Sequence, residues 1–292
     1  MHTTSRERVD LHVHTHLSDG YSPPAEVVRR AATLGLERIA ITDHDGIDVH
    51  LDLARYVGAD KARGVEVVPG VEIDCTLLDL DIEVLGYEFD PHATELVESL
   101  ACVQRERWAR LRFYCEGLAR AGELADPDGA LPKETRAPLK VHLYRALHAQ
   151  GRHFPGGYAE FKQRLAALGT PPPIARPTAA EATRRVRNAG GYTVLAHPLY
   201  YTRRTAWPAL LAAARAAGCV GAECAYPYDL GDAPFAPEEI ERELRALLET
   251  VRAVFPEGAR LTCGTDVHDL DEWGHRLACV ARWRRVVGLP SA

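Results

Sequence analysis

Short strand-like segments alternate with helix-like segments at both ends of this 292-residue chain. Residues 9–13 alternate in polarity and precede an amphipathic segment at 22–35, for which Ser22 is the candidate N-cap. The same order recurs at RIAIT and its following segment, and later at YTVLAHP, CVGAECAY and RLTCGTDVH. Alternation of strand and helix is typical of an α/β protein built on a parallel sheet.

The middle of the chain has a different pattern. From about residue 92 the sequence is helical and rich in Arg, Glu and Ala, as in ELVESLACVQRERWARLRFYCEGLARAG. A proline-rich stretch, GTPPPIARP, leads back to the α/β pattern, where Thr178 and Glu181 form a candidate capping box. We therefore predict one α/β domain made of residues 1–91 and 176–292, with residues 92–175 inserted as a helical subdomain that caps the active site.

The composition limits the class of protein. Hydrophobic residues make up 46% and charged residues 26%, as in soluble globular proteins, and the net charge of −6 argues against binding to long duplex nucleic acid. Seven cysteines without CxxC spacing indicate neither a disulfide framework nor a thiolate zinc site, which favours the cytoplasm. The sequence has no apolar signal core and no run of about 18 apolar residues, so we expect no membrane partner.

Acidic and imidazole side chains follow the predicted strands. His12 and His14 point to the same face because side chains alternate along a strand, and Asp19 lies in the loop beyond them. The carboxyl ends of other strands carry Asp43, His44, Asp45, Glu72, His197, Asp266 and His268. Active sites of α/β folds lie at these ends, and a cluster of buried ionisable groups needs a compensating charge. Carboxylates and imidazoles without thiolates suit Mn²⁺, Fe²⁺ or Zn²⁺.

Several other enzyme classes are disfavoured by missing motifs. The chain contains no GxSxG, HExxH, P-loop or GxGxxG pattern, which argues against a serine hydrolase, a zincin, a kinase and a Rossmann enzyme. Clustered divalent cations can activate water and stabilise charge on a phosphate. Metal-assisted hydrolysis without a side-chain nucleophile agrees with these absences.

The ordered motifs resemble the polymerase and histidinol phosphatase (PHP) family of metal-dependent phosphoesterases. The resemblance rests on DLHVHTHLSDG, ITDHDG, PGVEI, VLAHP and GTDVH, in the family's order, and covers about residues 9–275. The chain is most similar to a branch with a helical insertion, which includes 3',5'-nucleotide bisphosphate phosphatases and 5'-to-3' exoribonucleases. LKVHLYRAL is similar to an insertion motif of the kind RPHIARAL and places His142 at its histidine.

This resemblance implies a fold, a set of ligands and a mechanism. The implied fold is a distorted (β/α)7 barrel with two or three divalent metal ions, Mn, Fe or Zn, at its carboxyl-terminal mouth. The implied ligands of the first metal are His12, His14, Glu72 and Asp266. Those of the third metal are Asp19, His44 and His268, while Glu72 bridges to the second metal, which His197 also binds. The attacking group would be a hydroxide that bridges metals.

One position departs from the family's pattern. The segment DIEVLGY has Glu83 where the family commonly has a histidine. A carboxylate can bind Mn²⁺ or Fe²⁺, but it adds negative charge to the site. Either Glu83 is a ligand of the second metal, or it points elsewhere and the site is dinuclear.

Four basic side chains are candidates for substrate contacts. His142, Lys140 and Arg145 lie in the predicted insertion, and Arg176 lies in the linker that follows it. Each could contact a second phosphate or the leaving group, and the alternative for the first three is an ordinary polar helix face. Glu223 has two open roles, as a support for a metal ligand or as a substrate contact.

Three functions remain open from the sequence. The leading prediction is a metal-dependent phosphoesterase acting on a phosphomonoester of a small metabolite, with a nucleotide 3',5'-bisphosphate or a short oligonucleotide end as substrate. The second is a biosynthetic phosphatase or cyclic-phosphate hydrolase with a non-nucleotide substrate. The third is a non-catalytic metal-binding module, against which the near-complete set of ligands argues.

Overall fold

The computed structural model describes residues 8–58, 64–201, 207–230 and 235–288. Within these ranges seven strands form one sheet: β1 Val9–Val13, β2 Arg38–Ile41, β3 Glu66–Leu77, β4 Leu80–Tyr87, β5 Tyr192–Leu195, β6 Gly221–Ala225 and β7 Arg260–Cys263. The α-helices in the same ranges are α1 Pro24–Thr33, α2 Asp48–Leu51, α3 Leu53–Val57, α4 Thr94–Arg120, α5 Lys140–Ala149, α6 Gly157–Ala166, α7 Ala179–Asn188, α8 Trp207–Ala216, α9 Pro237–Val254 and α10 Trp273–Val286. None of these helices is both long and apolar enough to cross a membrane.

The strands follow one another across the sheet in chain order, and the two edges of the sheet meet. The backbone N–H of Asp266 donates to the carbonyl of His12 at 2.8 Å, and the N–H of His14 donates to the carbonyl of Val267 at 3.1 Å. Hydrogen bonds between the first strand and the segment after the last one are what closure of a barrel requires. The predicted α/β class is confirmed, and the ends of β1 and β7 lie side by side.

The sheet is not wholly parallel, and the prediction of a parallel sheet was wrong at β4. This strand pairs antiparallel with both β3 and β5, whereas the other pairs are parallel. Only Leu78 and Asp79 connect β3 to β4, and both have left-handed backbone conformations, with φ of 52° and 59°. This is the backbone of a tight hairpin turn, and two residues are too few for the crossover that parallel strands need.

The two helix starts named from the sequence have different outcomes. The capping box before α7 is confirmed, because Thr178 Oγ1 accepts from the N–H of Glu181 at 3.3 Å and Glu181 Oε2 accepts from the N–H of Thr178 at 2.8 Å. Ser22 does not cap α1. That helix begins at Pro24, where the fixed φ of proline favours a first turn, and the Ser22 carbonyl instead accepts from the His16 N–H at 2.9 Å.

The helices between residues 92 and 175 pack in two places. The first half of α4 places Leu96 and Leu100 in the core that also contains residues of β3 and β4. Its second half joins α5 and α6 in a separate apolar cluster that includes Leu118, Leu143 and Phe161. We propose on this basis that residues 92–175 form the inserted unit, with α4 as its connection to the barrel.

A buried ion-pair network ties α4 to the ends of the strands. Arg107 donates from Nε to Asp45 Oδ2 at 2.9 Å and from Nη2 to Asp74 Oδ2 at 2.9 Å. Gln104, one helical turn earlier, donates to the carbonyl of Asp45 at 2.9 Å. The middle of α4 is therefore fixed to the loop after β2 and to β3, beside the mouth of the sheet.

Leu118→Ala should lower the free energy of unfolding by about 2–5 kcal/mol, because Leu118 is fully buried in the second cluster and its truncation leaves a cavity. Denaturant unfolding followed by circular dichroism measures this change. Arg120→Ala, on the exposed surface of the same helix, is the matched control and should stay within about 0.5 kcal/mol of wild type. Equal effects of the two substitutions would contradict a packed second core.

Candidate active site

The predicted ligands meet at the mouth of the sheet. Four groups of side chains each place one nitrogen or oxygen atom per residue within 4.8 Å of the others. The groups are His12, His14, Glu72 and Asp266; His14, Asp19, His44 and His268; Glu72, Glu83 and His197; and His44, Asp74 and Glu83. The first group has the composition implied for the first metal. The second contains the residues implied for the third metal, together with His14.

Hydrogen-bond acceptors hold the rings of His12 and His14 on the side that faces away from the cluster. His12 Nδ1 lies 3.1 Å from Glu223 Oε1, and a carboxylate can only accept. His14 Nδ1 lies 3.3 Å from Ser18 Oγ, whose own proton is donated to Asp43 Oδ1 at 2.6 Å. Both Nδ1 atoms therefore carry a ring proton, and each Nε2 faces the cluster, where it could bind a metal ion in place of a proton, as in metal-bound histidines.

Two further imidazoles have the same arrangement. His268 Nδ1 lies 2.9 Å from the carbonyl of Asp266 and donates to it. His197 Nδ1 lies 3.4 Å from the hydroxyl of Tyr201, which donates its proton to Glu83 Oε2 at 2.9 Å and therefore accepts from the ring. In both residues Nε2 is left for the cluster, 3.1 Å from Asp19 Oδ1 for His268 and 3.1 Å from Glu72 Oε1 for His197.

The inward atoms are close enough to need a cation between them. His12 Nε2 and His14 Nε2 are 3.1 Å apart, and His12 Nε2 is 3.2 Å from Glu72 Oε2. Two lone pairs and a carboxylate oxygen repel one another at these distances unless positive charge lies among them. The donor set of imidazole nitrogens and carboxylate oxygens therefore fits divalent metal ions.

The pKa values of the cluster show the same demand for positive charge. Burial opposes the charged form of His14, yet Asp19, Asp266 and Glu72 raise its pKa to about 9. Burial likewise opposes the charged form of His197, whose pKa Glu72 and Glu83 raise to about 9. The carboxylates of the mouth thus favour positive charge on or beside the buried imidazoles, and bound cations would supply that charge.

Glu83 points into the cluster. Its Oε2 lies 3.4 Å from His197 Nε2, and burial together with the neighbouring Glu72 raises its pKa. Tyr201 holds the residue twice, since its hydroxyl donates to the carboxylate and accepts from the Glu83 N–H at 3.0 Å. Of the two alternatives for Glu83, this geometry favours a ligand of the second metal.

Glu223 supports the ligands. Its side chain is fully buried, contacts His12 Nδ1 and accepts from the backbone N–H of His197 at 3.1 Å. Tyr226 has a similar place beside Asp266, to whose Oδ2 it donates at 2.6 Å. His16 lies outside the cluster, and its Nε2 is within hydrogen-bonding distance, 2.6 Å, of Glu134 Oε2.

Asp74 is a member of the cluster that the sequence analysis missed. It follows Glu72 by two residues on β3 and therefore lies on the same face, a signal that the alternation rule could have supplied. Asp74 Oδ1 is 3.4 Å from His44 Nδ1, while its Oδ2 is paired with Arg107 and lies 3.5 Å from Arg176. The two guanidinium groups already neutralise Asp74. No local sequence signal pointed to Arg107, which lies midway along a long helix.

Five members of the cluster form the floor of a cavity of about 440 Å³, here called the site cavity: Asp19, His44, Asp74, Glu83 and His268. Its lining also includes the basic side chains Arg107, Arg110, Lys140, Arg145 and Arg176. Three of the four predicted substrate contacts thus lie here. The fourth, His142, lines a neighbouring cavity of about 400 Å³, the side cavity, and its Nδ1 accepts from the Leu139 N–H at 2.9 Å. His142 therefore caps its own helix at the edge of the site.

Arg145 joins α5 to the loop that carries Asp19. Its guanidinium donates to the carbonyl of Asp19 and, at 2.8 Å, to that of Gly20. This loop is tight, because a Cβ atom on Gly20 would lie 2.7 Å from the carbonyl of His14. A guanidinium from α5 therefore helps to hold the loop in place.

Glu223→Gln should weaken metal binding about tenfold to a hundredfold, because the amide removes the negative charge beside His12 and replaces one of the two acceptor oxygens with an NH2 donor. Competition between the protein and a chelating dye for Mn²⁺ measures the change. Glu238→Gln, at an exposed position of α9, removes the same charge and should leave metal binding as in wild type. Equal Mn²⁺ affinity in the two variants would show that Glu223 does not support the ligands.

Comparison with known proteins agrees with this geometry. Residues 10–145 match the family described as the PHP domain. A 5'-3' exoribonuclease of Haemophilus influenzae is 32% identical over 208 residues, which cover 69% of this chain and 72% of that protein. A 3',5'-nucleoside bisphosphate phosphatase of Chromobacterium violaceum is 29% identical over 220 residues, which cover 74% of this chain and 76% of that protein.

Solved structures give the same result. A crystal structure from Bifidobacterium adolescentis, of a protein assigned as a metal-dependent phosphoesterase, matches with a TM-score of 0.70 and 26% identity, over 89% of this chain and 87% of the other. The family inferred from the ordered motifs is therefore confirmed. This chain belongs to the PHP family of metal-dependent phosphoesterases.

Proposed function

We propose that this protein releases phosphate from a phosphomonoester of a small nucleotide, either a 3',5'-bisphosphate or the end of a short oligonucleotide. One observation carries the proposal: a single cavity is lined by candidate metal ligands and by basic groups, of which Lys140 and Arg110 have no carboxylate partner among the described residues. A substrate with one phosphate at the metals and a second anionic group at the wall complements both. The relatives that act on nucleotides support the choice of substrate class.

The floor of the cavity would hold two or three divalent ions, Mn, Fe or Zn. The proposed ligands are His12, His14, Asp19, His44, Glu72, Glu83, His197, Asp266 and His268. When bound, such ions activate water near neutral pH, orient the phosphate and neutralise charge on its oxygens. The chain's own contribution is orientation, because Glu223, Ser18 and Tyr201 each fix the ring of a histidine.

The wall of the cavity supplies the second anion site. Lys140 has no carboxylate partner among the described residues. Burial and the nearby charges of Arg110, Lys162 and Arg176 lower its pKa, so the ammonium group lies in a positive field. Arg110 uses its Nε to donate to the carbonyl of Pro172 at 2.9 Å. A phosphate between Lys140 and Arg110 would relieve this repulsion.

Metal-replete protein should release phosphate faster from adenosine 3',5'-bisphosphate or short 5'-phosphorylated RNA than from ribose 5-phosphate or a cyclic sugar phosphate. A chelated sample should be inactive and recover with Mn²⁺, and His12→Ala or His268→Ala should lower kcat by about a hundredfold or more. Phosphate release measures each rate. Preference for the sugar phosphates would favour the non-nucleotide alternative, and no release from any substrate despite bound metal would favour a non-catalytic module.

Lys140→Ala should raise the KM for adenosine 3',5'-bisphosphate about tenfold to a hundredfold, because a hydrogen bond to a charged group is lost. The KM for a substrate with a single phosphate should change much less. Steady-state phosphate release on the two substrates measures this difference. Arg120→Ala removes a positive charge from the exposed surface of α4 and is the control. A uniform change on both substrates would contradict a second anion site at Lys140.

A further inference from the structure

Tyr21 has an unusual position for a large apolar side chain. It is 60% exposed, the most exposed of the large hydrophobic residues in the described ranges. It follows the loop that carries Asp19, and its backbone N–H donates to the carbonyl of His268 at 2.8 Å. A candidate metal ligand, His268, thus holds the backbone of Tyr21, while the ring remains open to solvent.

The ring of Tyr21 is supported on one face. The guanidinium of Arg145 lies 3.7 Å from the ring centroid, and it is itself held by the carbonyls of Asp19 and Gly20. The exposed area therefore belongs to the opposite face and the edges of the ring. Stacking of a cation on one face also fixes the orientation of the aromatic group.

Both cavities are lined by this pair. Tyr21 and Arg145 line the site cavity, which contains the ligand cluster, and also the side cavity, which is lined by His16, Glu134 and His142. Of the exposed large hydrophobic residues in the part of the chain that the structure describes, only Tyr21 and Tyr158 line the site cavity. The exposed ring of Tyr21 therefore lines the same cavity as the candidate ligands Asp19, His44 and His268.

We propose that Tyr21, backed by Arg145, is a stacking platform for the nucleobase of the substrate. The inference rests on the proposed nucleotide substrate and names the residue that recognises its planar part. Every nucleobase has a π-face, so a stacking contact with an aromatic ring selects nucleotides as a class without reading one particular base. A sugar phosphate without a base has nothing to place on the ring.

The first test compares substrates with and without a base. The measured quantity is the ratio of kcat/KM for adenosine 3',5'-bisphosphate to kcat/KM for ribose 5-phosphate. Tyr21→Ala should lower this ratio between about fivefold and about 150-fold, and Tyr21→Phe, which keeps the stacking ring, should preserve it. An unchanged ratio in Tyr21→Ala would overturn the platform, as would an equal loss in the two variants.

A second test reads binding without turnover. In Tyr21→Trp, adenosine 5'-monophosphate should quench indole fluorescence in a saturable manner beyond the quenching of wild type, and ribose 5-phosphate should not. Absence of extra quenching would overturn the platform. The outcomes also separate the two proposals. If nucleotides are hydrolysed and substitution of Tyr21 has no effect, only the stacking platform is wrong. If only sugar phosphates are hydrolysed, the proposed nucleotide substrate itself is wrong.

Discussion

Repulsion among carboxylates in a buried mouth is the constraint on which this structure depends. Glu72, Asp266 and Asp19 lie within hydrogen-bonding or ion-pairing distance of the same few imidazoles. Such groups are stable together only when positive charge lies among them. The sheet brings them together by placing the ends of its strands at one mouth, and the acceptors behind the rings keep the imidazole lone pairs directed inward.

Two kinds of positive charge share this task. Guanidinium groups of Arg107 and Arg176 neutralise Asp74 with fixed geometry, and Arg107 also anchors α4 to the loop after β2 through Asp45. Asp19, Glu72 and Asp266 have no guanidinium or ammonium partner among the described residues, so their charge is left for exchangeable cations. The part of the mouth with permanent counter-charges is therefore structural, and the part that needs exchangeable counter-charges is open to chemistry.

Much of the site could be predicted from the sequence because the sequence signals for it are local. Side chains at alternate positions of a strand share a face, so His12 and His14 were paired from their spacing, and the order of motifs implied the other ligands. The direction of β4 was missed because Leu78 and Asp79 form the hairpin without the glycine that usually marks it. Arg107 was missed because its partners are distant in sequence, and only the packing of α4 brings it to Asp45.

The contact of Arg145 with the Asp19 loop has a consequence for how such enzymes diverge. The helical insertion would be the natural segment to exchange when a PHP barrel acquires a new substrate. Here α5, within the proposed insertion, supplies a guanidinium that holds two carbonyls of a loop bearing a candidate metal ligand. The proposed recognition surface and the candidate metal site are thereby joined by hydrogen bonds, and an exchanged segment that lacks an equivalent arginine would bring new specificity with a less firmly held Asp19 loop.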